Sequence, residues 1–223
     1  VSRRVLILVE GQTEERFVKD ILAPLFLADQ LYLEAILLTT KRAKNGMKFG
    51  GGVTSFAKIE RDIKRLIHGS GDALVTTLID YYGLPKDFPG MIAVDRHASA
   101  LASVIHLEDA LAKHFSYPKN FLPFLFLHEF EALLFSNVDV LPEILTMPEK
   151  SDAFSAIRHA FTTPEDINNH PNTAPSKRIL KLFPSYRKTL HGPHAVKRIG
   201  LATIQAECPH FAAWMNQLRS LAK

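Results

Sequence analysis

The chain has 223 residues, 47% of them hydrophobic, a formal net charge of +4 at pH 7 and a single cysteine. That is enough for one large domain, or a domain with an extension, around a sizeable core. One cysteine, Cys208, excludes an internal disulfide framework, and no apolar run approaches the ~20 residues needed to cross a bilayer. The expectation is a cytoplasmic protein with no membrane segment. The run Val5, Leu6, Ile7, Leu8, Val9 is too short for a signal-peptide core, and charged residues follow it at once.

Charge is unevenly spread. Residues 176–223 carry nine Lys/Arg against one acid, Glu207, a net +8; the rest carry 18 basic against 22 acidic residues, a net −4. A basic segment on a mildly acidic body suggests contact with a polyanion, although a solvated basic face reads equally well.

In chain order, the first apolar run fits a strand buried on both faces. Glu10 ends it, Gly11 allows a sharp turn, and Thr13 and Glu14 open a helix whose apolar side is Phe17, Ile21 and Leu25. Residues 32–40 read as a second strand. A basic, glycine-rich stretch follows, with Lys41, Arg42, Lys44 and Lys48; it lacks the Gly-Lys-Ser/Thr of a phosphate-binding P-loop. Phe56, Ile59, Ile63, Leu66 and Ile67 mark a surface helix. Residues 73–79 form a third strand, ended by Asp80 and then Tyr81-Tyr82-Gly83.

Residues 93–115 read as mostly helical, with Leu101, Val104, Ile105 and Leu111 as the apolar side. Residues 121–127 are a fourth apolar run, interrupted by Pro123, before His128-Glu129-Phe130-Glu131. Beyond Asn137 the strand signals fade. Residues 138–161 and 164–223 look helical, with a helix start at Pro164-Glu165-Asp166. Phe211, Trp214, Met215 and Leu218 form the stripe of a last helix. The fold class expected is α/β: a mostly parallel sheet over residues 1–137, with a mainly helical, basic region over 138–223 packed on it.

Three apolar runs thus end in acids: Glu10, Asp80, and Glu129 with Glu131. In a parallel sheet those ends share one edge, where ligands of open α/β folds bind. Carboxylates held together repel, and a divalent cation relieves this; all-oxygen ligands suit Mg²⁺ or Mn²⁺. Each acid also has a structural reading. Glu14 suits a helix N-terminus, Asp80 suits a turn cap, and Glu131 suits a solvated helical face. Being two residues apart on a helix, Glu129 and Glu131 should not both face one site. His128 is a candidate base or a hydrogen-bonded structural residue. Ala174-Pro175-Ser176-Lys177-Arg178 is a candidate phosphate clamp, or a helix capped by Ser176.

Glu10-Gly11-Gln12-Thr13-Glu14 resembles the Glu-Gly-x-Thr/Ser-Glu signature of Toprim-like proteins, notably the OLD-type nuclease branch. The chain as a whole is similar to the domain of unknown function 4276 family. That similarity lies in Leu78-Ile79-Asp80-Tyr81-Tyr82-Gly83-Leu84-Pro85, Asp87-Phe88-Pro89-Gly90, His128-Glu129-Phe130-Glu131-Ala132-Leu133-Leu134-Phe135, Ala174-Pro175-Ser176-Lys177-Arg178 and Cys208-Pro209-His210-Phe211. The resemblance implies a Toprim-like fold with Glu10 after the first strand and Asp80 after the third. Toprim proteins carry Asp-x-Asp at the latter place; here Tyr82 replaces the second Asp, with Glu129 as its candidate substitute. Related proteins act beside ABC/SMC-like ATPases in phage defence, cutting nucleic acid.

Together these readings lead to an expected Mg²⁺- or Mn²⁺-dependent nuclease. Glu10, Asp80 and Glu129 hold metal, Glu14 or His128 handles protons, and Lys177 stabilises transition-state charge. Ser176, Lys177, Arg178, Lys41 and Lys48 bind phosphate. A non-catalytic subunit that binds a nucleotide or an ATPase, and a small-molecule phosphohydrolase, remain open alternatives.

Overall fold

The structure, a computed structural model, describes residues 3–39, 55–95, 98–167 and 172–220. It is an α/β fold. Strands β1 (Arg3–Val9), β2 (Leu31–Leu37), β3 (Leu74–Asp80), β4 (Phe121–Leu122) and β5 (Leu125–Phe126) make a parallel sheet in the order β2-β1-β3-β4, with β5 also on β3. The helices are α1 (Gln12–Phe17), α2 (Ala23–Leu27), α3 (Phe56–Gly69), α4 (Ala100–His114), α5 (Val140–Ile144), α6 (Ser151–His159), α7 (Pro175–Leu182), α8 (Lys188–Ile199), α9 (Leu201–Glu207) and α10 (Pro209–Ser220).

Side chains alternate across each strand, so β1 feeds two cores. Val5, Ile7 and Val9 pack with α1, α2 and the C-terminal helices; Leu6 and Leu8 pack with α3 and α4. Both faces are covered, which is why the strand sequence is apolar throughout. The C-terminal helices belong to the first core and are sewn to the sheet. Trp214 Nε1 donates to Thr76 Oγ1 of β3 at 3.0 Å, and its ring stacks on Phe124 at 4.8 Å.

Several elements differ from the sequence expectation. Between α1 and α2 the helix passes through a π turn, Val18–Leu22. The extra residue shifts the phase, so Leu22 and Phe26 are buried while Leu25 is exposed. The fourth run splits into β4 and β5 because Pro123 cannot donate to the ladder. Thr77 fills the gap: its hydroxyl donates to Phe124 O at 2.7 Å and accepts from Phe124 N at 2.9 Å. The expected helix over 93–115 is confined to α4, whose buried side is Val104, Leu107 and Leu111; Leu101 and Ile105 are exposed. The helix start at Pro164 yields only a single 3₁₀ turn, Pro164–Asp166.

Candidate functional site

The connection from β1 to β2 runs through α1 and α2 on one face of the sheet; that from β2 to β3 places α3 on the other. The winding therefore reverses between β1 and β3. A crevice at such a switch point, outside the carboxyl ends of the strands, is where ligands of open α/β sheets sit. Val9 is in register with Leu78, so Glu10 and Asp80 leave neighbouring strands on this same edge.

Glu10 is partly buried, and its Oε2 atom is buried with no hydrogen-bond partner. Gly83 borders it: a Cβ there would come within 3.5 Å of Oε1 and 3.7 Å of Oε2. Glu14 is buried in the first turn of α1, and its Oε2 accepts from the Gly11 amide at 3.0 Å. Asp80 does not cap its own turn. Its Oδ1 accepts from Phe130 N at 3.0 Å, which ties the end of β3 to the start of the 3₁₀ segment Phe130–Ser136.

Burial pushes Glu10 and Glu14 above the ordinary carboxyl range, and neighbouring negative charge adds to it: Glu129 for Glu10, Glu10 for Glu14. Asp80 is raised well above its usual value, by burial first and then by the charges of Glu14, Glu10 and Glu131. Glu131 is pushed up to about 7 by burial, against the pull of Lys188. The expectation of a solvated Glu131 is overturned, since it is only 1% exposed.

Two residues at this site were not expected. Lys188, at the start of α8, puts its Nζ 3.1 Å from Glu131 Oε2 and 3.9 Å from Glu129 Oε1. Burial alone would lower its pKa, but Glu131, Glu129 and Asp80 outweigh burial and raise it. Its side chain is 44% exposed, so the stem lies at the surface while the ammonium turns in over the acids. Buried Tyr186 donates to Glu131 Oε1 at 3.5 Å. Gly192 permits this approach: a Cβ there would meet Phe130 Cε1 at 3.2 Å and the Tyr186 hydroxyl at 3.3 Å. Neither Lys188 nor Tyr186 follows an apolar strand, so the pattern that found Glu10 and Asp80 carries no signal for them.

Glu129 and Glu131 do both face Lys188, contrary to the two-residue spacing rule for a helix. Glu129 is extended (φ −146°, ψ 155°), and the helical turn begins only after it. Glu129 has a further task. Its Oε2 accepts from Ser176 N at 2.8 Å and its Oε1 from Ser176 Oγ at 2.9 Å, so it caps α7 from a distant part of the chain. Ser176 is therefore neither the cap of its own helix nor a free phosphate ligand. Arg178 is also engaged, with Nε donating to Thr173 O at 2.6 Å and the guanidinium 5.1 Å from the Phe161 ring centroid. Lys177 is exposed on α7; the cation that acts on Glu10, Glu14 and Asp80 is Lys188.

His128 is buried with Nδ1 unpartnered, and burial lowers its pKa to about 4, opposed only by Asp166. It is thus neutral at physiological pH, and its carbonyl accepts from Tyr82 N at 3.1 Å, which sets it beside the turn after Asp80. Lys41 and Lys48 lie outside the described residues.

Among the described residues, no group of three or more His, Cys, Asp or Glu side chains is arranged to hold a metal ion. Magnesium at phosphate-handling sites keeps several waters and takes one or two carboxylates. Glu10 and Asp80 fit that lesser demand, with an orphan buried oxygen on Glu10 and mutual repulsion that a cation would relieve. Glu129 is less free than these two, since each of its oxygens already accepts a hydrogen bond from Ser176.

The profile of one protein family, described as a domain of unknown function (DUF4276), matches residues 9–219. The chain belongs to that family. The match runs from the last residue of β1 into α10, so it takes in every residue of the cluster. No curated protein and no solved structure matches the chain. No helix among the described residues is long and apolar enough to cross a membrane.

Proposed function

We propose that this protein is a Toprim-like, Mg²⁺- or Mn²⁺-dependent nuclease that hydrolyses phosphodiesters of DNA or RNA, in the reducing cytoplasm, beside an ATPase partner in phage defence. One observation carries the chemistry: carboxylates from the ends of β1 and β3 gather at the point where the sheet reverses its winding. Glu10 and Asp80 would hold the ion, with Glu14 behind them. A bound Mg²⁺ would supply charge to a phosphodiester oxygen and acidify a water. Glu131, raised to about 7, is poised to exchange a proton near neutral pH. Lys188 would turn from the acids to a substrate phosphate; that role moves from Lys177 because of the 3.1 Å contact with Glu131. The Toprim resemblance rests on Glu10, Gly11, Thr13, Glu14 and Asp80, and the defence role rests on that resemblance alone.

Incubating purified protein with plasmid and with RNA, with and without Mn²⁺ or Mg²⁺, tests the reading. Metal-dependent cleavage should fall by about three orders of magnitude in Glu10→Ala or Asp80→Ala, given the several kcal/mol a metal's charge supplies. Cleavage unchanged in both variants would overturn it.

Lys188 also favours a second reading. An ammonium already offsets part of the acid charge, and Tyr82 stands where a second Asp would bind metal. A non-catalytic subunit that docks on an ATPase or binds a nucleotide would need no more. Co-purification with an ATPase, with no cleavage by the pair, would favour it.

A further inference from the structure

The first turn of α8, whose Lys188 reaches the acid cluster, also carries basic side chains, and these follow one helical stripe. Arg187, His191, His194 and Arg198 recur at spacings of four, three and four, so they share one side of α8 and the residue before it. Arg187 and His194 are exposed, and no carboxylate among the described residues lies within ion-pair distance of either. The stripe ends at Arg198, which pairs with Glu143. His191 Nδ1 accepts from the Arg187 amide at 3.0 Å, which fixes the first turn. Burial first, then Arg187, hold His191 below the ordinary imidazole range, so the fixed positive charge of the stripe is that of its arginines.

Arg16 joins the stripe from α1. Its Nη1 donates to Thr189 O at 2.8 Å, and its contact with Asp20 is long at 3.9 Å, with the side chain 52% exposed. Lys188, between Arg187 and Thr189 in the chain, sends its ammonium to the acids. Arg16, Arg187 and Lys188 thus meet at the first turn of α8, beside the candidate site.

We infer that the side of α8 bearing Arg187, His191 and His194, with Arg16, is the track along which a nucleic-acid backbone approaches Glu10 and Asp80. This rests on the phosphodiester reading and gives it a binding surface. At 1.5 Å rise per residue, residues 187–194 span about 10 Å, room for about three phosphates at 3.4 Å per step of one strand. The alternative clamp on α7 offers less. Ser176 and Arg178 are both engaged within the protein, which leaves Lys177 and Lys181 as exposed point charges.

The test is binding of a short labelled DNA duplex and its single strand, measured by fluorescence anisotropy in EDTA over a range of salt, so that cleavage plays no part. Two variants each remove two cations: Arg16→Gln with Arg187→Gln, and Lys177→Gln with Lys181→Gln. The first should bind about tenfold more weakly and lower the salt slope by about 2, while the second stays within about twofold of wild type. Equal losses in the two variants, or no binding by the wild type, would overturn the track. Track and hydrolysis can fail separately. Binding that depends on Arg16 and Arg187 without any metal-dependent cleavage removes the nuclease reading and keeps the track. Cleavage with normal binding by Arg16→Gln/Arg187→Gln does the reverse.

Discussion

Two groups of carboxylates in this molecule are treated differently. At the anchorage of the C-terminal helices every acid is engaged. Glu165 accepts from His210 N at 2.9 Å and Phe211 N at 3.0 Å, Glu129 takes both donors of Ser176, and Glu108 accepts from Leu125 N and His210 Nε2. At the ends of β1 and β3, Asp80 and Glu14 each accept one amide, but the acids crowd one another, with one lysine among them and an orphan oxygen on Glu10. A buried carboxylate whose oxygens are taken by N–H groups is holding the fold together. One left to repel its neighbours costs stability, and such costs concentrate at functional sites.

The largest effects should fall on the first region. Glu165→Ala strands two amides at the start of α10, and Glu129→Ala strands the amide and hydroxyl of Ser176. Each should cost about 3 kcal/mol in chemical denaturation, since every unsatisfied buried donor costs roughly 1–3 kcal/mol. A loss below about 1 kcal/mol in both would erase the distinction between the regions.

Glu131 sharpens it through pH. Its folded pKa of about 7 lies above the ordinary 4.5, so the folded state holds a proton that the unfolded state releases between those values. Its stabilising contribution is complete below about pH 4.5 and is lost as pH rises through about 7, on the order of 3 kcal/mol. Thermal melts across that window should show a steeper decline in wild type than in Glu131→Gln, in which the other raised acids, Glu10, Glu14 and Asp80, remain.

A smaller effect of opposite sign is expected at the strand ends. Glu10→Gln and Asp80→Asn remove repulsion and should stabilise the protein by about 1 kcal/mol at neutral pH, while abolishing any metal response. Destabilisation by both would move these acids into the structural class. Lys188→Ala should cost about 1 kcal/mol, less than a fully buried pair because its stem is exposed. It should also tighten Mn²⁺ binding in a calorimetric titration, because a competing cation is gone.

Much of the fold was legible in the sequence because buried parallel strands write themselves as unbroken apolar runs. Val5 through Val9 form such a run, Leu74 through Ile79 are apolar apart from the β-branched Thr76 and Thr77, and the acids that end them were visible for the same reason. The failures have physical causes. The π turn at Val18–Leu22 moved the apolar stripe from Leu25 to Phe26, a phase change that composition does not reveal. The caps of α7 and α10 come from Glu129 and Glu165, each more than forty residues away in sequence, so a local rule naturally chose Ser176. Lys188 and Tyr186 reach the acids only because α8 packs against α1 and the Phe130–Ser136 segment, where Gly192 allows close approach. No spacing in the chain announces that contact.

The central claim is that Glu10 and Asp80 together provide the seat for a divalent cation. Calorimetric titration of Mn²⁺ into the wild-type protein and the Glu10→Gln/Asp80→Asn variant tests it most directly. One saturable site in the wild type, absent from the variant although it is folded, is the predicted result. No binding by the wild type, or equal binding by both, would contradict it.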